Sequence, residues 1–505
     1  MIHDASRLPL PLTLDAELCV IGSGAGGSMA AMAAAEAGLR VVVLEAGELV
    51  TPERVDQREE RMIPLLLWEA GARSSEDRAL RLLQGRGVGG STLHNLNLCK
   101  RIPDELLQRW TRDLRLERLD LTTWASLYER VEAMLEVSAV PEATWNRHNR
   151  LLADGCRALG WRGGGLRHNR TGCIGSGFCE LGCAYDAKNN ALKVPIPRAI
   201  AAGAEVLASC RALTIEHDGG RVRGVEAEAI DPVTQEPLGR VRVRSPRVCV
   251  SGSATATPEL LLRSRVPARR GLVGDSLRVH PSVVVAAEFD EPVHAWRGVP
   301  QTYECTEHLT FDGGGRRSWI VPAFAHPMAA STLVPGHGAR HRELMQRYAH
   351  LAAFTAVLHD ESRGRVRPRR GRGATIEYAP DAADRAELAF GIEACARLLF
   401  AAGARRVVLP GAAGRVVERG ASVDDCGARA FAEGGVELSA VHPMSSVPMS
   451  DDPARGAADG RGAVRGVEGL WIADGSLFPT SIGVPPQLSI YAVGLYVGER
   501  IAEAG

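Results

Sequence analysis

The segment Leu18-Cys-Val-Ile-Gly22-Ser-Gly24-Ala-Gly-Gly27 limits what this chain can fold into more than any other stretch of it. Residues 17–21 are short and apolar, 28–38 are alanine-rich and 40–45 (RVVVLE) are β-branched, so the pattern predicts strand, turn, helix and strand in one βαβ unit. Glycines at 22, 24 and 27 allow a tight turn and let backbone amides at a helix N-terminus approach a pyrophosphate. Glu45 closes the second strand 23 residues after Gly22, where an acid can accept hydrogen bonds from a ribose 2′-OH and disfavours a 2′-phosphate. Strand, turn, helix and acid in register predict a dinucleotide site.

The rest of the chain is consistent with an α/β protein of two or three domains. Residues 246–250 and 257–264 read as another strand and helix, 469–474 (GLWIAD) as a buried strand, and 487–503 as a helix closing the chain. Between 275 and 380 short alternating runs (SVVVAAEF, SWIVPAF, TIEYA) suggest an antiparallel sheet. A parallel sheet drawn from both termini, with an α+β domain inserted, is the economical arrangement. Lys and Arg total 60, as do Asp and Glu, so no long-range field gathers nucleic acid or an anionic membrane. The arginine run 363–372 then reads as a solvated hairpin. No run of about 18 apolar residues predicts a membrane span, and the N-terminus lacks a basic stretch followed by an apolar one, so a cytoplasmic location is expected unless a signal-bearing partner exports the chain.

A second glycine cluster, Gly85-Arg-Gly-Val-Gly89-Gly90-Ser91-Thr92-Leu93-His94-Asn95, is placed where a loop can lie beside a flavin ring. With the fingerprint at 22–45, SGSATATPELLLRS at 251–264, GDSLRVHP at 274–281, HPMSSVPMSDDP at 442–453 and LWIADGSLFPTSIGVPP at 470–486, the chain resembles the glucose-methanol-choline (GMC) oxidoreductase family. The resemblance implies a discontinuous Rossmann-type FAD-binding domain with an inserted α+β substrate domain built on an antiparallel sheet. The expected division is 1–135, 201–274 and 435–505 for the FAD domain, 136–200 for a connecting region with a cysteine loop, and 275–434 for the substrate domain. Cofactor contacts are expected at Gly22, Gly24, Gly27, Glu45, Gly89, Gly90, Ser91, Asn95, Asp474 and Gly475. Some relatives link a histidine of the glycine loop to the flavin; that place resembles Leu93 here, so non-covalent FAD is expected, with His94 pointing elsewhere.

Family members oxidise alcohols: a histidine takes the hydroxyl proton while hydride passes to the flavin, and His442 matches that base. The second catalytic position of the family falls on Pro485, which cannot donate a hydrogen bond. Either His442 works without that partner, or Gln487 or a residue of the inserted domain supplies it. Pro485 also leaves room for dehydrogenation at a C–C or C–N bond, or for a non-catalytic FAD-binding partner protein. His280, in the GDSLRVHP segment, is expected to be architectural.

Cys173, Cys179 and Cys183, with Ser176, form a C-x₂-S-x₂-C-x₃-C run that follows ferredoxin spacing. Three readings stay open: a [3Fe–4S] cluster, as in the sugar-dehydrogenase branch that the run resembles; a zinc site with His168 as fourth ligand; or a plain loop of free or paired cysteines. The first would make the chain an FAD-dependent dehydrogenase passing electrons to a protein acceptor. The last favours an oxidase using O₂.

Overall fold

The strands Leu18–Ile21 and Val41–Leu44 carry no charged residue and are buried along their whole length, as befits a parallel sheet covered on both faces. The structure, a computed structural model, describes residues 1–504 except 270, 312, 324 and 413. The two strands lie at the centre of a six-stranded, wholly parallel sheet in the order Ile2–Asp4, Glu205–Ala208, Val41–Leu44, Leu18–Ile21, Val248–Val250, Leu470–Ile472. Its strands come from the N-terminal, central and C-terminal parts of the chain, as expected of a discontinuous domain.

The helix Ala25–Glu36 is apolar on every side, and a helix of that kind must be covered all round. The closing helix Gln487–Glu503 supplies the cover on one side. A Cβ added at Gly494 would lie 2.4 Å from the Gly26 carbonyl, and one at Gly498 would lie 2.7 Å from that of Ala30, so the two helix backbones are in direct contact. Beside this core stands a four-stranded sheet. Cys210–His217, Val222–Ile230 and Pro237–Arg244 run antiparallel, and Leu12–Asp15 pairs in parallel with the last.

A second core belongs to a nine-stranded mixed sheet centred on Ser282–Glu288, Leu351–Leu358 and Ser318–Pro322, all antiparallel. The helix Ala382–Ala401 packs on it, its N-terminus capped by Asp381, which accepts from the Asp384 amide. The sheet reaches beyond 275–434: it recruits Gly163–Gly165 from the connecting region, Leu80–Leu82 from the N-terminal part and Leu438–Ala440 from the C-terminal part. Strand pairing across distant segments is invisible to local periodicity, so the substrate domain looked self-contained in sequence. The TIEYA run is not in this sheet; Ala374–Glu377 pairs with Arg365–Pro368 as a separate hairpin, with the arginines 369, 370 and 372 at its exposed end.

Candidate active site

Gly22 ends the first strand with φ +96°, and a Cβ there would lie 2.3 Å from the Ser251 carbonyl oxygen, so the turn excludes any side chain. Gly24 caps the helix Ala25–Glu36 at its N-terminus. Gly90, with φ +56°, comes to the same place from the second glycine cluster; a Cβ on it would lie 2.9 Å from the Gly24 Cα. The two turns therefore face each other without side chains. Ser23 Oγ joins them, donating to Glu45 (2.7 Å) and accepting from the Gly89 amide (3.0 Å). Glu45 also accepts from the amides of Ser23 (3.0 Å) and Gly47 (2.8 Å). Burial pushes its carboxyl above the usual range, and these donors oppose that rise. Ser91 Oγ accepts from the Gly85 amide at 2.8 Å and fixes the second turn. Gly27 lies in the first turn of the helix, where a Cβ would meet the Gly22 carbonyl at 2.0 Å. A cradle free of side chains, at a helix N-terminus and beside a buried acid, suits the pyrophosphate and ribose of FAD.

Asp474 and Gly475 stand at the C-terminal end of the parallel sheet. Asp474 accepts from the Ser253 amide (2.8 Å), Thr257 Oγ1 (2.5 Å), and the Ser476 amide (2.8 Å) and hydroxyl (2.5 Å). It thus ties the turn at 475–477 to the start of the helix Ser253–Arg263. The Ser445 amide donates to the Gly475 carbonyl at 2.9 Å, which brings the segment starting at His442 alongside this turn.

His442 is delivered by strand pairing. Ser282 sits opposite Ser439, and Arg278 exchanges both backbone hydrogen bonds with Met444 (2.9 and 2.8 Å). Between these two pairings His280 and His442 are forced together, with Nδ1 to Nδ1 at 3.2 Å and rings edge-on at 88°. Burial pushes the pKa of His442 down to about 3, and that of His280 well below the usual value, so both rings are neutral at neutral pH. His280 was expected to be architectural, yet it touches the candidate base directly. His359 and Asp360, for which the sequence offered no signal, complete the surroundings. Asp360 is buried and accepts from the amides of Val279 (3.1 Å) and His280 (3.2 Å), from Tyr378 (2.9 Å) and from Ser481 Oγ (2.7 Å).

Pro485 is buried in the loop before the closing helix. The Gln487 amide is committed to the protein: Oε1 accepts from Asn95 Nδ2 (2.5 Å), and Nε2 donates to the Leu98 carbonyl (3.0 Å) and Asn169 Oδ1 (3.0 Å). Asn95 and Gln487 thus lock the second glycine cluster to the closing helix. His94 lies beside Lys188; burial and that charge push its pKa down to about 3.

Cys173, Cys179 and Cys183 line one surface cavity with Arg170, Tyr185 and Lys188. Among the described residues no three His, Cys, Asp or Glu side chains are placed to hold a metal ion. Cys173 is exposed and its Sγ accepts from the Gly175 amide (3.4 Å), whereas Cys179 is buried, which pushes its thiol pKa up. His168, the expected fourth zinc ligand, is not in the cavity lining, and its Nε2 lies 2.8 Å from the Gln301 carbonyl. The glycines at 175, 177 and 182, all with positive φ, turn the loop around the cavity that the three cysteines line. No group of side chains that would hold a [3Fe–4S] cluster or a zinc ion is therefore seen among the described residues. Lys188 secures the loop instead, its Nζ donating to the carbonyls of Leu93 (2.9 Å), Asn95 (2.7 Å) and Cys179 (3.2 Å).

Fold and cradle together are those of a dinucleotide-binding protein. The profile described as GMC oxidoreductase matches residues 62–282 and 360–494, and that of an FAD binding domain matches residues 17–51. The chain is 35% identical, over 99% of its length and 79% of the relative's, to an uncharacterised GMC-type oxidoreductase of Mycobacterium tuberculosis. It is 26% identical to a long-chain-alcohol oxidase of Arabidopsis thaliana, over 99% of this chain and 69% of that one. Among solved structures, pyridoxine 4-oxidase from Mesorbium loti superposes with a TM-score of 0.69 at 16% identity, covering 96% of this chain and 98% of that one. The chain belongs to the GMC oxidoreductase family and is an FAD-dependent oxidoreductase. Among the described residues no helix is long and apolar enough to cross a membrane.

Proposed function

We propose that the enzyme oxidises an organic alcohol to the carbonyl compound, with His442 taking the hydroxyl proton and O₂ accepting the electrons. FAD, when bound, supplies the ring that accepts hydride. The residues of the glycine cradle, Gly22, Gly24, Gly27, Glu45, Gly89, Gly90 and Ser91, would hold it, with Asn95, Asp474 and Gly475 shaping the turns beside it. The observation that carries this reading is His442: a ring kept neutral by burial, on the segment that runs along Gly475, where the two ends of the FAD domain meet. A neutral imidazole keeps the lone pair that a base requires. Pro485 has no N–H to offer and the amide of Gln487 is used within the protein, so neither supports a direct part in proton transfer.

O₂ as acceptor is supported by the names of relatives, which include a long-chain-alcohol oxidase. Two measurements test the proposal. With a substrate alcohol in air, peroxide should form mole for mole with the carbonyl product. Turnover only with an artificial one-electron acceptor, or iron and acid-labile sulfide in the purified protein, would restore the dehydrogenase reading. His442→Ala should retain FAD and lose more than about 100-fold in flavin reduction; reduction at the normal rate would remove the base assignment.

A further inference from the structure

We propose that Cys173 is a peroxide-reactive thiol, oxidised by hydrogen peroxide to a sulfenic acid that Cys183 then resolves as a Cys173–Cys183 disulfide. Peroxide is the product that the oxidase reading gives this enzyme, and the inference rests on that reading for the source of its oxidant alone. The thiols of Cys173, Cys179 and Cys183 line one cavity with Arg170, Tyr185 and Lys188. Cys173 and Cys183 both lie close enough to Cys179 for a charge on either to push its thiol pKa further up.

The three thiols are not equivalent. Cys179 is buried, whereas Cys173 is exposed and Cys183 half-buried, so peroxide reaches Cys173 first. The Cys173 sulfur accepts from Arg170 Nη1 at 3.6 Å and from the Gly175 amide at 3.4 Å, and that of Cys183 accepts from the Ala187 amide at 3.3 Å. A cysteine attacks as its thiolate, and a guanidinium together with a backbone N–H stabilises negative charge on sulfur. The other bonds of the two cations go to carbonyls and to no carboxylate: Arg170 Nη2 donates to that of Leu96 (3.1 Å), and Lys188 to those of Leu93, Asn95 and Cys179. Glu180, beside Lys188, has its pKa pushed up to about 8 by burial, so it is mostly protonated at neutral pH and offsets neither charge. The positive charge is left facing the thiols.

The same two cations set the cavity beside the second glycine cluster, because the carbonyls they hold, of Leu93, Asn95 and Leu96, belong to that cluster and the residue after it. Peroxide released from a flavin on that loop is formed close to Cys173. The reaction balances with peroxide as its one oxidant. The Cys173 thiolate attacks an oxygen of the peroxide, the O–O bond breaks, and the departing hydroxide takes up the proton that Cys173 has given up. The Cys183 thiolate then attacks the sulfenic sulfur, the S–O bond breaks, the S–S bond forms, and the second oxygen leaves as water. Two thiols thus supply the two electrons that reduce one peroxide to two waters. Glycines at 175, 177 and 182, all at positive φ, give the segment between the sulfurs the backbone freedom to close.

The test is thiol mapping by peptide mass spectrometry on the FAD-loaded enzyme, first reduced, then freed of reductant and treated with hydrogen peroxide in the absence of substrate. We expect a Cys173–Cys183 disulfide and the loss of both thiols from titration. In Cys183→Ser the reaction should stop at a Cys173 sulfenic acid that dimedone captures, and in Cys173→Ser the Cys183 thiol should survive the same dose. Arg170→Met should slow the oxidation of Cys173 at least about ten-fold, and Arg170→Lys should keep most of the rate. Oxidation of Cys173 no faster than that of the buried cysteines, a disulfide to Cys179 in its place, or iron bound by the three thiols would overturn the proposal. With a substrate alcohol in air the same disulfide should build up, and catalase should suppress it. Its formation with added peroxide but not in turnover would remove the oxidase reading and leave the thiol site standing, since added peroxide alone judges that site.

Discussion

Two buried charged residues, Glu45 and Lys188, show how single side chains hold the cofactor loops. Glu45 gathers three donors from the first glycine turn and its neighbours while keeping lone pairs for a ribose. Its replacement by alanine removes a charge-assisted acceptor, and hydrogen bonds of that type contribute about 1.5–3 kcal/mol. Glu45→Ala should therefore weaken FAD binding by about 10- to 100-fold, read as flavin lost on gel filtration and a raised Kd; full retention would mean that Glu45 only braces the turn. Lys188 is buried, and burial lowers its pKa to about 8, so it stays charged at neutral pH. Lys188→Met would leave the Leu93 and Asn95 carbonyls without a partner, that of Cys179 keeping the Gly182 amide (3.3 Å), at about 1–3 kcal/mol for each buried orphan. The expected result is faster proteolysis within 173–187 together with weaker flavin retention, because one ammonium ties that loop to the carbonyls of Leu93 and Asn95.

At the scale of elements, the contact between Ala25–Glu36 and Gln487–Glu503 decides whether the N- and C-terminal parts of the FAD domain stay joined. Gly494 and Gly498 face the backbone of the first helix, and no other residue leaves room for that approach. Gly494→Val would place two methyl groups where a carbonyl oxygen already lies 2.4 Å from the first added carbon. Overpacking of this kind costs about 1–3 kcal/mol. The denaturation midpoint should fall accordingly and FAD should be lost at lower denaturant than in the wild type, whereas Gly403→Ala, which has open space, should lower the midpoint only through its left-handed φ of +93°. Equal losses of flavin in both variants would contradict the close-contact argument.

For the whole molecule, buried neutral histidines set part of the acid sensitivity. His148 is 1% exposed, and burial lowers its pKa to about 4, while Nε2 lies 2.7 Å from the Ala353 carbonyl. An unfolded histidine takes up a proton below about pH 6.5, which the folded ring does not do until about pH 4. The stability this ring contributes is fully present above pH 6.5 and is lost as pH falls, by about 2 kcal/mol between pH 6.5 and 5. Buried carboxyls such as Asp360 and Asp474, raised by desolvation, act with the opposite sign, so a single variant isolates the effect. Between pH 7 and 5 the wild-type thermal midpoint should fall more steeply than that of His148→Phe; parallel slopes would show that the ring is protonated in the folded state.

What local chemistry determines was readable in the chain itself. The strand, glycine turn, helix and acid at 17–45 needed only residues close in sequence, and the helix at 487–503 appears over the range its periodicity predicted. Family motifs marked His442, and the arginine run did prove to be the exposed end of a hairpin. The tertiary structure alone decided the rest. Ser282 opposite Ser439 brings His280 onto His442 across 162 residues, a pairing that neither segment encodes by itself. Gln487, read as a possible substitute for the missing partner, is consumed by Asn95, Leu98 and Asn169 from three other segments. The cysteine spacing was that of a cluster, but spacing sets only how far apart thiols are along the chain. That Cys173, Cys179 and Cys183 line one cavity beside Lys188, which holds the loop by the Cys179 carbonyl, is visible only in the fold. Periodicity and motif report short-range preference; the partner of a buried polar group is settled by whichever distant segment the fold brings to it.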